Sequence, residues 1–222
     1  MTRPGRRSKA LGQPWGEAVS RCSARPRPPR TGLEGRHCRL APLQAEAHAA
    51  DLAAAFAGDR EGRIWTYLPY GPMRTTGEVA AWIAQTCSGD DPLFHAVLTP
   101  EGRALGVASY LRIASEPGTI EIGHINFAPA MQRTAMATEA LFLMMSRAFD
   151  ALGYRRLEWK CDALNAPSRR AAERLGFVHE GTHRQAMIYK GRNRDTAWFS
   201  VLDREWPRLR RGLEAWLAPG NF

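Results

Sequence analysis

Apolar and polar positions along the chain form two kinds of repeat, and together they predict most of its elements from residue 35 onward. His37 to Leu43 reads as a first strand and the alanine-rich stretch Ala45 to Ala57 as a helix. An aromatic-rich loop from Ile64 to Pro72 follows. Thr75-Thr76-Gly77-Glu78 then carries the Thr-x-x-Glu signature of a capping box, opening a helix that runs to about Thr86 and ends near Gly89. Leu93 to Leu98 and Ala104 to Ile113 are β-rich runs joined by Pro100-Glu101-Gly102-Arg103, a turn signal typical of a hairpin, and Thr119 to Phe127 is a further strand.

Between Ala137 and Leu152 the period changes. Ala137, Leu141, Met144, Met145, Ala148 and Leu152 recur at three- and four-residue spacing, the stripe of a long helix that faces a core. Arg156 to Cys161 predicts a strand, and Asn165 to Leu175 a helix with Asn165 or Ser168 as N-cap and Gly176 to end it. Strands near Phe177 to Tyr189 and Thr196 to Leu202 precede a last helix whose Leu209, Leu213, Trp216 and Leu217 share one face. This order predicts a single α/β domain over residues 35–222 around a mixed sheet.

The net charge of +9 changes this picture less than its size suggests, because it is unevenly placed. Residues 1–34 hold eight arginine and lysine residues against Glu17 and Glu34, together with Pro4, Pro14, Pro26, Pro28 and Pro29. Such a segment buries too little apolar surface to offset its ordering entropy, so residues 1–34 are expected to form a disordered basic tail. Without them the excess is small and a nucleic-acid-binding module is disfavoured. The longest apolar run, Ala140 to Met145, is far short of the roughly 20 residues that span a bilayer, and Arg6-Arg7 has no apolar stretch behind it. A cytoplasmic chain with no membrane partner is expected. Cys22, Cys38, Cys87 and Cys161 form no C-x-x-C pair, and the histidines, His179 and His183 included, show no metal-binding spacing, so no metal is expected.

Candidate chemistry concentrates between the strand Thr119 to Phe127 and the long helix. The stretch from Ala128 through Ala140 opens that helix with small residues, which leaves its first N–H groups reachable by phosphate oxygens. No G-x-x-x-x-G-K-[ST] or G-x-G-x-x-G is present, so sites for ATP or a nicotinamide dinucleotide are not supported.

Here the sequence resembles the GCN5-related N-acetyltransferase (GNAT) superfamily, and within it the RimJ/RimL-type branch, from about Gly35 to Trp206. Gln132-Arg133-Thr134-Ala135-Met136-Ala137 is similar to the acetyl-CoA motif Q/R-x-x-G-x-G/A. Asn165-Ala166-Pro167-Ser168 with Leu175-Gly176-Phe177 resembles the branch's N-x-x-S and L-G-F pair, and Lys190-Gly191-Arg192, Asp195 and Glu205-Trp206 resemble its ending. The resemblance implies a GNAT fold with a mixed, mostly antiparallel central sheet flanked by helices. It implies acetyl-CoA as co-substrate, held by Phe127, Gln132, Arg133, Thr134, Ala135, Met136, Ala137 and Asn165, and a primary-amine acceptor, a protein N-terminus or a small molecule. It leaves a homodimer open.

The sequence also departs from that pattern. Ala135 stands where the motif usually has glycine, adding a methyl where the backbone must approach a pyrophosphate. The tyrosine many members carry as general acid falls at Ala172, and a glutamate proposed as base in some RimL-like enzymes falls at Met187. An alkyl ammonium of pKa roughly 10, or an α-amino group of about 8, must lose a proton before it attacks a thioester. Glu121 is a candidate for that base, its alternative being a structural carboxylate paired with an arginine. His124, three residues on, is expected on the opposite strand face. Ser168 is the candidate proton donor to the leaving thiolate, with helix capping as its alternative. Arg169, Arg170 and Arg174 read as a solvated face, with contact to a 3′-phosphate as the alternative, and Trp65, Tyr67 and Tyr70 as core aromatics or as the border of an acceptor pocket. These readings predict acetyl transfer to a primary amine by direct attack. A CoA-binding protein of little turnover is the alternative.

Overall fold

A computed structural model describes residues 6–7, 12–19 and 23–221; Cys22 and much of the segment expected to be a tail lie outside the described residues. A two-residue ladder joins Arg6–Arg7 to Pro14–Trp15. The remaining strands, β1 (Leu33–Glu34), β2 (Arg39–Pro42), β3 (Leu93–Leu98), β4 (Ala104–Ala114), β5 (Thr119–Phe127), β6 (Arg156–Asp162), β7 (Val178–Tyr189) and β8 (Arg192–Leu202), form one eight-stranded sheet. Its order is β1-β2-β3-β4-β5-β6-β8-β7, and every neighbouring pair is antiparallel except β5 with β6.

Helices cover both faces. α1 (Ala45–Phe56) and α2 (Thr76–Thr86) pack on one side, where Leu52, Phe56, Trp82 and Ile83 meet Phe94, Ala96 and Val107 of the sheet. The predicted capping box is present at α2: the Thr75 hydroxyl accepts the Glu78 N–H, and the Glu78 carboxylate accepts the Thr75 N–H. On the other side α3 (Ala135–Ser146), extended by a π turn over Arg147–Ala151, buries Leu141, Met144 and Met145 against Tyr110, Leu157 and Phe199, each such side chain contributing about 1.5–3 kcal/mol of burial. α4 (Ala166–Arg174) and α5 (Trp206–Trp216) complete that layer. Because both faces are covered, β3 is buried along its whole length, which explains its unbroken apolar run. No helix among the described residues is long and apolar enough to cross a membrane.

The last part of the segment 1–34 departs from the tail expectation. From residue 23 to 34 the chain lies against the domain: Arg30 pairs with Asp90 at 2.9 Å, Tyr154 donates its hydroxyl to the Pro26 carbonyl, and Arg147 donates to the carbonyls of Thr31 and Gly32. Leu33–Glu34 then pairs with β2, and the buried carboxylate of Glu139 in α3 accepts the amides of Arg36, His37 and Cys38. Apolar content is the wrong measure here. The proline-rich run has little conformational entropy to lose, and polar contacts to its backbone and arginines suffice to hold it.

Two irregularities shape the middle of the sheet. Arg112 in β4 and His124 in β5 adopt left-handed backbone, φ +47° and +49°, and the β4–β5 register shifts near each. These are β-bulges. The first is held by Asp91, whose carboxylate accepts the N–H groups of Arg112 (2.8 Å) and Ile113 (3.0 Å). Between the two bulges, after Glu121, β5 leaves the line of β6. Their parallel pairing covers only Thr119↔Arg156, Ile120↔Leu157 and Glu121↔Glu158, and then the two strands diverge.

Candidate active site

The divergence opens a cleft of about 500 Å³ at the fork. Glu121 to Ile125 of β5 form one wall, and Trp159 to Asp162 of β6 with Arg194, Thr196 and Trp198 of β8 form the other. The loop Tyr67 to Pro69 and the β7 residues Ala186 to Tyr189 border its mouth. Three contacts tie that border to the walls: Tyr67 donates its hydroxyl to the Leu164 carbonyl (3.1 Å), Lys190 its ammonium to the Trp65 carbonyl (2.8 Å), and Tyr189 its hydroxyl to Asp162 (2.8 Å).

Charges line the floor in sequence. Glu121 accepts from Arg112 through both oxygens, at 2.7 and 2.9 Å, and from Lys160 at 3.0 Å. Lys160 also meets Glu158 at 2.8 Å and lies 3.5 Å from the centre of the Trp198 ring. Arg156 continues the line by pairing with Glu158 and Glu180. Burial raises the Glu158 carboxyl, but hydrogen bonds from Lys160 and Arg156 outweigh it and hold that group below the usual carboxylate range. Of the two roles left open for Glu121, the arginine partner therefore exists, with a buried lysine added. Its oxygens face cations.

His124 corrects an expectation. Strict alternation puts it opposite Glu121, yet both line the cleft, because the bulge at His124 interrupts the alternation. Its Nδ1 lies 3.2 Å from the Tyr70 hydroxyl, and its ring stacks on Tyr70 and meets Phe94. Burial, then the nearby Arg112 and Arg194, push the imidazole down to about 4. It is neutral at physiological pH. Of the loop aromatics, Trp65 is core, packed on Phe56, while Tyr67 borders the cleft and Tyr70 reaches its wall through His124.

At the start of α4 the capping alternatives separate. The Asn165 side chain accepts the Ser168 N–H (3.1 Å) and is the N-cap; the Ser168 hydroxyl instead accepts the Trp159 indole N–H (3.0 Å), leaving its own proton to donate. Both residues line the cleft with Glu121. The residues Phe127 and Gln132 to Ala137 lie apart from it, where β5 runs into α3. There the Phe127 carbonyl accepts the Gln132 side chain (2.9 Å), Arg133 turns the chain at φ +62°, and the Thr134 hydroxyl caps the Ala137 N–H (3.2 Å). The amides of Ala135 and Met136, first in α3, have no intrahelical partner, and the first turn carries no acid. Arg174 donates to Thr138 of α3 at 3.0 Å and Arg169 to the Ala163 carbonyl, so neither is simply solvated.

Lys160, Arg194 and Trp198 are among the cleft residues that the sequence reading does not single out. A signal existed in β6, where Arg156, Glu158 and Lys160 alternate with Leu157, Trp159 and Cys161, marking one charged strand face. What that face meets depends on register, which no local pattern carries.

Comparison with known proteins agrees with this geometry. The model of the acetyltransferase (GNAT) domain matches residues 37–178. A GCN5-related N-acetyltransferase from Brucella melitensis superimposes with TM-score 0.89 at 48% identity, over 92% of this chain and 93% of that one. A probable acetyltransferase (GNAT family) from Chromobacterium violaceum gives 0.81 at 43% identity, over 88% and 98%. The Bacillus subtilis protein named "Putative ribosomal N-acetyltransferase YdaF" is 29% identical over 112 residues, half of this chain and 61% of that protein. The chain belongs to the GCN5-related N-acetyltransferase (GNAT) family.

Proposed function

We propose that this chain moves the acetyl group of acetyl-CoA to a primary amine by direct attack, with no covalent enzyme intermediate. The observation that carries this reading is the fork itself. Beyond Glu121 and Glu158 the facing edges of β5 and β6 no longer pair with each other, and backbone N–H and C=O groups removed from a ladder require other partners. A pantetheine arm, with two amides along an extended chain, supplies partners of that kind. The amides of Ala135 and Met136, at the positive end of α3, suit the pyrophosphate. The Ala135 methyl narrows that approach without closing it.

The chemistry follows from what each side chain has left to offer. The lone amine electron pair attacks the thioester carbon to form the C–N bond, and the tetrahedral intermediate, whose nitrogen releases a proton to solvent, collapses by breaking the C–S bond with loss of the thiolate. Ser168, polarised by the Trp159 N–H, offers its proton to that sulfur, whose pKa of roughly 8.5 makes the assistance modest. Asn165 keeps its amide N–H groups for the pantetheine arm because only its oxygen is used in capping. Glu121 acts in this reading as an ion-pair anchor: to take a proton it would have to give up a cation. His124 is neutral but weakly basic. The amine therefore sheds its proton to solvent and enters neutral.

The test is a panel of amines and N-terminal peptides assayed for CoA release, alongside calorimetry of acetyl-CoA binding. Acetylation with saturable acetyl-CoA binding supports the reading. Tight binding without release from any acceptor would make this a CoA-binding member of the family, as the replacements at Ala172 and Met187 suggest.

A further inference from the structure

We infer that the acceptor amine carries a carboxylate and that Arg194 recognises it; the inference rests on the acetyl-transfer reading above. Arg194 projects from β8 into the cleft, its guanidinium 5.5 Å from the centre of the Tyr189 ring. Among the described residues no carboxylate lies within ion-pair distance of it, and its Nε is buried with no hydrogen-bond partner. The other charged side chains around it have polar partners. Arg112 and Lys160 are engaged by Glu121 and Glu158, and Asp162 accepts the Tyr189 hydroxyl and the Leu164 N–H, each at 2.8 Å.

Arg194 is thus the cation of this group that no carboxylate engages, and it stands in a site that admits a neutral amine. A buried N–H without an acceptor costs about 1–3 kcal/mol in the protein alone, a cost that persists where a ligand removes it. A planar guanidinium is best met by a carboxylate, through paired N–H···O bonds. Trp198 Nε1, four residues further along the same strand, is a second buried N–H without a partner. At a rise of about 3.4 Å per residue the backbone positions of the two residues are at most roughly 13 Å apart, a span that a peptide with an acidic side chain covers and a small amino acid does not.

Matched acceptors test this. Rates of CoA release are compared for 4-aminobutyrate against 4-aminobutyramide, and for the peptide amides Ala-Glu-Ala against Ala-Gln-Ala, pairs that differ in charge but little in shape. The acid should exceed its amide in kcat/KM by roughly 10- to 100-fold in one pair or both, which also tells the free amino acid from the peptide as source of the carboxylate. In Arg194→Gln that ratio should fall to near one through a higher KM for the acid, and Arg194→Lys should restore part of it. A purely structural role for Arg194 would lower both members of a pair alike. Equal rates for acid and amide in the wild type, or a ratio unchanged in Arg194→Gln, would overturn the inference while leaving acetyl transfer intact. Failure of acetyl-CoA binding would instead remove the reading beneath it.

Discussion

Replacing Glu121 by glutamine separates an anchoring carboxylate from a catalytic one. The side chain is 3% exposed and receives three charged donors, two from Arg112 and one from Lys160. Glutamine keeps the shape, but its NH2 group must face one of those donors and the charge is lost. Removing one member of a buried ion pair costs roughly 3–5 kcal/mol. Arg112 is half exposed and recovers water, and Lys160 retains Glu158, so we expect the lower part of the range, about 3–4 kcal/mol. At roughly 2–4 °C per kcal/mol for a chain of this length, the melting temperature should fall by about 5–15 °C. Below that temperature, CoA release should drop less than about tenfold, and its pH profile with one amine of known pKa should follow that amine's ionisation in both proteins. Scanning calorimetry and rate measurements on the two proteins, with circular dichroism as a control, read both quantities. A rate lower by 10²- to 10⁴-fold, an ionisation present only in the wild type and an unmoved melting temperature would refute the argument and make Glu121 the base.

Further outcomes follow from the same geometry. Ala135→Gly should preserve or tighten acetyl-CoA binding, and Ala135→Leu should nearly abolish it by blocking backbone approach; equal affinities by calorimetry, with the fold intact, would remove the α3 site. Ser168→Ala should lower kcat by about tenfold and, by leaving the buried Trp159 N–H without its acceptor, cost about 1–3 kcal/mol of stability, whereas Asn165→Ala should lose the α4 cap and about 1 kcal/mol, as denaturant melts would show. His95 is fully buried, and burial, followed by Arg147, pushes it down to about 4 from 6.5. Its neutral form is the one the fold accepts, so its share of stability is complete above pH 6.5 and is lost as pH falls to about 4, on the order of 3 kcal/mol by urea midpoints at several pH values.

Legibility in the sequence follows the distance over which each feature is decided. β3 and β5 were readable to the residue because their apolar patterns are local, and the Thr75–Glu78 box because both partners lie within one turn. The long helix was placed two residues late and carried beyond Ser146, because the same apolar stripe continues through a π turn whose hydrogen bonds differ but whose buried face does not. Segment 23–34 was misread because its partners, Asp90, Arg147 and Tyr154, are remote in sequence. In the candidate site the same division holds. Asn165, Ser168 and the α3 start are motif-borne, whereas Lys160, Arg194 and the placement of His124 depend on register and on a bulge.

That bulge and the charge line are two parts of one device. The last rung of the β5–β6 ladder sets Glu121 directly opposite Glu158, two carboxylates where a sheet would ordinarily avoid like charges. Lys160, one pleat beyond, bridges them at 3.0 and 2.8 Å, so the repulsion becomes a clamp at the point of separation. From there His124 turns β5 away while Trp198 and β8 keep β6 in place through the Trp198↔Lys160 rung. The strands are thus held together up to one residue pair and freed after it. The apolar pattern of Ile120, Ile122, Leu157 and Trp159 already fixes which face each strand buries, and the ionic clamp at the apex adds a charge-specific constraint on the residue pair at which the strands part.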